Sequence, residues 1–214
     1  MKMINVLLAD DHAMIRAGLN ILIAKHIVHS VIDEAWDGDS ALKKIKEKDY
    51  KLIVLDITMP GTDSLGLVSN IIALKPEANI LMFSMYAEKI YAKKYLQLGV
   101  KGYLSKSASH EEINIALDYV INAKRYISPL LNQVFTEEAL GKKSNNPYDD
   151  LSPREFEIIL HLIRGESLAE ICHTLNLHIS TISTHKANIF RKLHCNNIID
   201  INALAKVYNI IPFA

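Results

Sequence analysis

The chain has 214 residues, half of them apolar, and its 24 basic residues balance its 24 acidic ones. This length allows one large domain or two small ones, and the zero net charge excludes any conclusion about a nucleic-acid partner from overall charge. The apolar runs are far shorter than the roughly 20 residues of a membrane span, and the N-terminus has no signal-peptide pattern. The two cysteines, Cys172 and Cys195, match no metal-binding spacing. We therefore expect a cytoplasmic protein with no membrane partner.

The first 124 residues alternate between short apolar runs and segments with helical periodicity. The runs predict five strands, at Ile4–Ala9, Val31–Trp36, Leu52–Leu55, Ile80–Phe83 and Gly102–Leu104. Strands that are apolar on both faces, with amphipathic helices between them, indicate a parallel sheet covered on two sides. Residues 1–124 are therefore predicted to form a flavodoxin-like, doubly wound α/β domain with a five-stranded parallel sheet.

Residues 125–150 interrupt this alternation and are predicted to form an interdomain linker. A helix can form at Leu130–Leu140, and the polar, turn-prone segment from Gly141 to Pro147 follows it.

Residues 151–214 are helical throughout in their pattern. Two capping boxes, Ser152–Glu155 and Ser167–Glu170, mark helix starts, and Asn176 can take the left-handed conformation that ends a helix. Two later helices are expected at about residues 180–193 and 198–208. This region is predicted to be an all-α helix-turn-helix domain.

Polar side chains follow four of the predicted strands at the point where each strand ends. They are three carboxylates, a hydroxyl and an ammonium group: Asp10, Asp11, Asp56, Ser84 and Lys106. Because ligands bind outside the carboxyl ends of parallel strands, we expect these groups to converge. Clustered carboxylates bind Mg²⁺, and a carboxylate such as Asp56 can attack a phosphoryl group. The ammonium and hydroxyl groups can then pair with phosphoryl oxygens.

Residues 4–122 resemble the receiver domain of response regulators. The matching segments are Leu7–His12, Ala35–Leu42, Asp56–Gly61 and Gly99–Lys106. Each segment alone is a weak signal, but the four in this order and at these intervals are highly specific.

The resemblance implies a role for each group at the strand ends. Mg²⁺ is held by three carboxylates and one main-chain carbonyl, from Asp10, Asp11, Asp56 and Thr58. A sensor histidine kinase phosphorylates Asp56, and Lys106 completes the site. Ser84 and Tyr103 are implied as switch residues that move inward with the bound phosphoryl group. Such a protein accepts and slowly loses a phosphoryl group but is a regulator and not an enzyme. A haloacid-dehalogenase-like phosphatase is disfavoured, because it needs an aspartate where this chain has Thr58.

Positive charge in the C-terminal region is concentrated on one predicted helix. Between His178 and His194 there are three fixed cations, Lys186, Arg191 and Lys192, and no acidic residue. A helix of this kind suits the major groove of double-stranded DNA. Charge alone leaves a protein-binding helical bundle as an equal alternative.

Residues 151–207 resemble the DNA-binding domain of LuxR-type regulators, and both domains together resemble the NarL/FixJ subfamily. The resemblance is carried by Leu151–Glu155, Leu168–Ile171 and Thr181–Leu193. By analogy, the base edges are faced by Ser183, Thr184 and Ala187. The phosphates of promoter DNA are reached by Lys186, Asn188, Arg191 and Lys192.

Two histidines in this region carry separate expectations. The spacing of His185 to Ile182 and Ile189 predicts a packed, structural side chain. His178 stands where the family usually has a capping serine, and histidine caps poorly. We therefore expect Ser180 or Thr181 to start the helix instead.

The expected function is a two-component transcription regulator that dimerises when phosphorylated or bound to DNA. Two alternatives remain open at this point. In one, the receiver is not phosphorylated and serves only to dimerise a DNA-binding protein. In the other, the protein is a signalling relay whose C-terminal helices bind protein.

Overall fold

The structure, a computed structural model, describes residues 3–142, 146–208 and 210. The chain divides into two compact units, one of Met1–Met85 with Tyr95–Ser128 and one of Tyr86–Lys94 with Pro129–Ala214. Among the described helices, none has the length and apolar character needed to cross a membrane.

The first unit contains one five-stranded parallel sheet, which confirms the predicted doubly wound fold. The strands are β1 (Ile4–Ala9), β2 (Ser30–Ala35), β3 (Leu52–Leu55), β4 (Ile80–Ser84) and β5 (Gly102–Ser105). Their order in the sheet is β2-β1-β3-β4-β5. The central strands β3 and β4 are buried along their whole length, as continuous apolar runs predict.

Helices alternate with these strands as the sequence periodicity predicts. They are α1 (Ala13–His26), α2 (Gly38–Glu47), α3 (Ser64–Leu74), α4 (Glu88–Leu98) and α5 (His110–Ile121). Leu19 and Ile23 of α1 share a core cluster with Ile113 and Leu117 of α5 and with Val54 of β3. This packing fixes the sheet that carries the predicted site at its carboxyl edge.

The C-terminal helices begin and end largely where the sequence signals predict. They are α6 (Pro129–Ala139), α7 (Pro153–Ile163), α8 (Leu168–Leu175), α9 (Ile179–Leu193) and α10 (Ile198–Val207). Both predicted capping boxes form, at the starts of α7 and α8. Asn176 has a φ of 49° and ends α8 in the left-handed conformation.

The predicted linker has more local structure than its composition indicates. A 3-10 turn spans Pro147–Asp150, and the Asn146 side chain caps it by accepting a hydrogen bond from the Tyr148 N–H. Residues 143–145 of the predicted linker lie outside the described residues.

The expected start of α9 at Ser180 or Thr181 is wrong, because the helix begins at Ile179 with His178 as its N-cap. The Nδ1 atom of His178 accepts a hydrogen bond from the Ser180 N–H at 3.4 Å. A neutral imidazole nitrogen is an acceptor and so can replace the usual serine oxygen, although at long distance.

Candidate functional site

The carboxyl ends of the strands hold the predicted site residues through backbone hydrogen bonds between neighbouring strands. The Asp56 N–H donates to the Ala9 carbonyl at 2.8 Å, and the Lys106 N–H donates to the Ser84 carbonyl at 2.8 Å. These bonds tie each functional residue to the end of the adjacent strand. The site is therefore positioned by the sheet and does not depend on a free loop.

Lys106 lies between two of the carboxylates. Its Nζ atom is 2.6 Å from Oδ2 of Asp10 and 2.9 Å from Oδ2 of Asp56. All three side chains are almost completely buried. Burial disfavours the ammonium form, but hydrogen bonds to Asp10 and Asp56 outweigh burial and raise the pKa of Lys106. Lys106 therefore stays charged and partly neutralises the acidic cluster.

The acidic cluster has the donor set of a divalent cation site. Asp10, Asp11, His12 and Asp56 each offer one ligand atom, and these atoms lie within 4.8 Å of one another. The negative charge of the three carboxylates exceeds the single positive charge of Lys106. Carboxylate oxygens are also the ligands that Mg²⁺ prefers. The residues present thus fit Mg²⁺ on chemical grounds.

His12 is a candidate that the sequence analysis missed. Its Nδ1 atom lies 2.7 Å from Oδ1 of Asp11, and its side chain is largely exposed. The signal that could have found it is its place directly after Asp10 and Asp11.

The remaining predicted residues of this site lie at the same edge of the sheet. Oγ1 of Thr58 donates to Oδ2 of Asp56 at 3.0 Å, a contact that the sequence analysis did not predict. The role of the Thr58 carbonyl as a metal ligand stays a prediction. Ser84 is fully buried at the end of β4, and Tyr103 is fully buried on β5 with its ring centre 6.3 Å from that of Tyr95.

Arg16 positions this site from α1 and was also missed. Its Nη1 atom donates to the Asp10 carbonyl at 2.7 Å, and its Nε atom donates to Oε2 of Glu34 at 2.9 Å. The hydrogen bond from Arg16 lowers the pKa of Glu34 despite an opposing effect of burial. Arg16 thereby links the end of β1 to β2 and fixes the backbone that carries Asp10.

The predicted nucleic-acid surface lies on α9. Exposed side chains on this helix include Ser183, Thr184, Ala187 and Arg191, whereas Lys186 and Asn188 are half-buried. Their spacing of three and four residues places the exposed set on one face of the helix. A polar, cationic face of this kind can lie in a groove of DNA.

Two residues of α9 have contacts within their own domain. Nζ of Lys192 donates to Oε2 of Glu155 at 2.6 Å and to the Asp150 carbonyl at 3.1 Å. His185 is half-buried, and its Nδ1 atom has no hydrogen-bond partner among the described residues. The predicted phosphate contact of Lys192 stays a prediction, and it would require this residue to exchange its present partners.

Two family models match the chain, one for each region. Residues 6–118 match the response regulator receiver domain, and residues 149–205 match the bacterial regulatory proteins of the luxR family.

Curated relatives match both regions together. Response regulator UvrY of Escherichia coli (strain K12) is 31% identical over 204 residues, which is 95% of this chain and 94% of the relative. Response regulator GacA of Pseudomonas protegens is 30% identical over 203 residues, 95% of each chain.

Among solved structures, RcsB from Salmonella enterica serovar Typhimurium, bound to promoter rprA in the presence of phosphomimetic BeF3-, is similar in fold. Its TM-score is 0.75 at 23% identity, with 95% of this chain and 98% of that chain covered.

Proposed function

Because this chain is a response regulator of the NarL/FixJ subfamily, we propose that phosphorylation of Asp56 controls promoter binding by its C-terminal domain. The proposed receiver is residues 1–124, the linker is 125–150 and the DNA-binding domain is 151–214. The phosphoryl donor is a sensor histidine kinase, and the regulator works in the cytoplasm. The observation that carries this proposal is the buried Asp56 carboxylate, joined to Lys106 and flanked by two further carboxylates.

The proposed chemistry is a transfer of the phosphoryl group to a carboxylate. A carboxylate oxygen of Asp56 attacks the phosphorus atom, the bond from phosphorus to the donor histidine nitrogen breaks, and the neutral imidazole leaves after taking up a proton. Asp10, Asp11, Asp56 and the Thr58 carbonyl would hold Mg²⁺, which would neutralise negative charge on the transferred phosphoryl group. Lys106 and Ser84 then bind phosphoryl oxygens by ionic and hydrogen-bond contacts.

The phosphoryl group biases an equilibrium between two receiver conformations. Lys106 leaves Asp56 for the phosphoryl oxygens, and Ser84 donates to them. Tyr103 remains the proposed switch residue, and the inward orientation that the phosphoryl group favours is the buried one that Tyr103 already has in this structure. The altered surface near these residues favours a dimer or releases the DNA-binding domain. The protein therefore turns over a phosphoryl group in order to signal and is not an enzyme with a separate substrate.

The DNA-binding half of the proposal rests on the exposed face of α9. Base edges are contacted by Ser183, Thr184 and Ala187. Phosphates are contacted by Lys186, Asn188, Arg191 and Lys192. Each neutralised phosphate contributes a slope of roughly −0.9 to the logarithmic dependence of affinity on salt, so binding weakens steeply as salt rises.

The test is to incubate the protein with acetyl phosphate and Mg²⁺, then record its intact mass and its retention on a promoter-DNA library. We expect one added phosphoryl group and increased DNA retention in the wild type, and neither in Asp56→Asn. Asp39→Asn is the matched control, because it makes the same change at an exposed carboxylate on α2.

If no phosphoryl group is added and DNA retention is unaffected, the receiver is an assembly module. If no DNA is retained in any state, the DNA-binding proposal is wrong.

A further inference from the structure

His12 occupies the N-cap position of α1 but does not cap the helix. Its backbone is extended, with φ of −84° and ψ of 106°, and its side chain makes no cap hydrogen bond within the described chain. Serine, threonine, aspartate and asparagine are preferred at this position, because their oxygens accept hydrogen bonds from the free N–H groups of the first turn. Helix capping therefore does not explain the imidazole at residue 12.

His178 shows how an imidazole caps a helix in this chain. It holds the same position at the start of α9, and its Nδ1 atom accepts a hydrogen bond from the Ser180 N–H. The Nδ1 atom of His12 lies instead against two carboxylates, 2.7 Å from Oδ1 of Asp11 and 3.4 Å from Oδ1 of Asp10. The same residue type at the same helix position thus has different partners in α1.

The contact between His12 and Asp11 is close but is not a hydrogen bond. Oδ1 of Asp11 is buried and has no hydrogen-bond partner among the described residues, although Nδ1 of His12 is 2.7 Å away. Two ligands of one cation are related in this way, because each directs a lone pair at the metal and neither donates to the other. In octahedral coordination with bonds of about 2.1 Å, neighbouring ligand atoms are about 3 Å apart. The two distances from Nδ1 of His12 lie on either side of this value.

The Asp56 carboxylate gives independent evidence for a cation here. Its Oδ2 atom is paired with Lys106, but its Oδ1 atom is buried and has no hydrogen-bond partner in the part of the chain that the structure describes. A buried carboxylate oxygen without a partner is costly unless a cation binds it. One ligand atom from each of the three aspartates and from His12 lies within 4.8 Å of the others. The imidazole is therefore placed at the same site as the unpartnered oxygen.

A nitrogen ligand changes which cation such a site prefers. Mg²⁺ binds oxygen ligands and gives up its water molecules reluctantly. Divalent transition cations late in the first row, such as Co²⁺ and Zn²⁺, accept imidazole nitrogen as well as oxygen. Carboxylates alone already favour these cations to some extent, so the contribution of His12 is the part of the preference that is lost when the imidazole is removed.

We propose that His12 is a nitrogen ligand of this cation site and determines its selectivity, so that a cation such as Co²⁺ or Zn²⁺ binds in place of Mg²⁺. The inference rests on the proposed function, because the site is the one proposed there to hold Mg²⁺. If His12 were only a charge partner of Asp11, its removal would make the site more negative and would strengthen the binding of every divalent cation. A ligand and a charge partner therefore have opposite effects on Co²⁺ affinity.

The first test compares the affinities of the full chain for Co²⁺ and for Mg²⁺, measured by isothermal titration calorimetry. We expect His12→Ala to lower Co²⁺ affinity by about tenfold or more and to change Mg²⁺ affinity by less than about twofold. His110→Ala is the matched control, because it removes an exposed histidine at the start of α5 in the same compact unit. This control should change neither affinity.

Proton NMR of the Co²⁺ complex gives a readout that does not depend on affinity. An imidazole that binds Co²⁺ through Nδ1 keeps its Nε2–H, and the unpaired electrons of the metal shift the resonance of this proton far from those of other protein protons. With one equivalent of Co²⁺, we expect such an exchangeable signal in the wild type and in His110→Ala. The signal should be lost in His12→Ala.

The outcomes separate the selectivity of the site from its existence. Weaker Co²⁺ binding, nearly unchanged Mg²⁺ binding and loss of the shifted signal in His12→Ala support the proposal. Co²⁺ binding that is unchanged or tighter in His12→Ala, equal weakening in His110→Ala, or the same shifted signal in all three proteins overturns it. A wild type that binds neither cation overturns the proposed Mg²⁺ site as well, whereas normal Mg²⁺ binding with Co²⁺ binding unaffected by His12→Ala overturns only the selectivity.

Discussion

Lys106 is a buried cation whose charge is balanced by two carboxylates that also belong to the predicted cation site. Removing one partner from a buried ionic cluster leaves the other charges uncompensated, which is strongly destabilising. In the proposed cation site, the same ammonium group would compete with a bound cation for the carboxylates of Asp10 and Asp56. Lys106 would therefore have opposite effects on stability and on cation binding.

We expect Lys106→Met to lower the free energy of unfolding by about 3 kcal/mol and to tighten Mg²⁺ binding. Urea denaturation measures the first effect. The fluorescence of Trp36 measures the second, because the chain has one tryptophan and it directly follows β2, beside the end of β1. Lys75→Met, which breaks an exposed pair with Asp49, is the control and should leave stability nearly unchanged. Unchanged Mg²⁺ affinity in Lys106→Met would contradict the competition.

Glu155 makes the C-terminal helices sensitive to acid. Burial opposes its charge, but the hydrogen bond from Lys192 and the cap contacts with Ser152 outweigh burial and lower the pKa of Glu155. A carboxyl group with a lowered folded pKa stabilises above its unfolded pKa, and this stabilisation is lost as pH falls through the folded value. The loss therefore begins as pH drops below the ordinary pKa of 4.5.

We expect Glu155→Gln to reduce the free energy of unfolding at pH 7 by about 1–2 kcal/mol and to flatten its fall below pH 4.5. The amide still accepts the cap hydrogen bond, so the change isolates the ion pair with Lys192. Circular dichroism during urea denaturation at several pH values measures both effects. Glu170→Gln, in a capping box whose glutamate has no described ion pair, is the control. A pH profile of Glu155→Gln that matches the wild type would refute this role.

At the scale of single elements, α9 carries the proposed contacts with DNA. Arg191 is exposed on this helix and has no described ion pair, so its charge is available to phosphate. Arg191→Ala is expected to weaken binding to all DNA sequences alike by about 1–2 kcal/mol and to reduce the salt slope by roughly one.

Fluorescence anisotropy with labelled promoter DNA over a series of salt concentrations measures both quantities. Lys206→Ala removes an exposed cation from α10 and is the matched control. An unchanged salt slope in Arg191→Ala would show that this residue does not contact phosphate.

The elements themselves were largely predictable, because their signals are local. Apolar runs place β1 and β3 at the residues observed, and capping boxes place the starts of α7 and α8. The start of α9 was mispredicted because histidine is not among the residues that usually cap helices. The imidazole of His178 nevertheless accepts a hydrogen bond and caps this one.

The site was predictable to the extent that strand ends determine it. Asp10, Asp56 and Lys106 come together because parallel strands end at one edge. The contacts of Arg16 and the Thr58 hydroxyl depend on side-chain orientation within the fold, which periodicity does not specify. The ion pair of Lys192 with Glu155 likewise joins residues from two helices, so no local sequence pattern predicts it.

At the scale of the whole molecule, the proposed dimer presents two copies of α9 to DNA. We expect tight binding to require two half-sites whose centres are about one helical turn, or a multiple of it, apart. Mobility-shift assays with half-site spacing varied by single base pairs test this, and affinity should fall when the spacing changes by about half a turn. A single half-site bound as tightly as a pair would show that the protein acts as a monomer.

The sheet order described above also has a consequence for biosynthesis. Asp10 follows the first strand of the chain and Lys106 follows the last strand, yet the two side chains form one ion pair. A chain that is still being synthesised therefore lacks its lysine until the final strand of the sheet has emerged from the ribosome. Truncated or unfinished receivers carry Asp56, the proposed phosphate acceptor, without the lysine that completes its site. We therefore expect that incomplete chains are not activated by phosphorylation, and that a kinase activates only chains whose five-stranded sheet has formed.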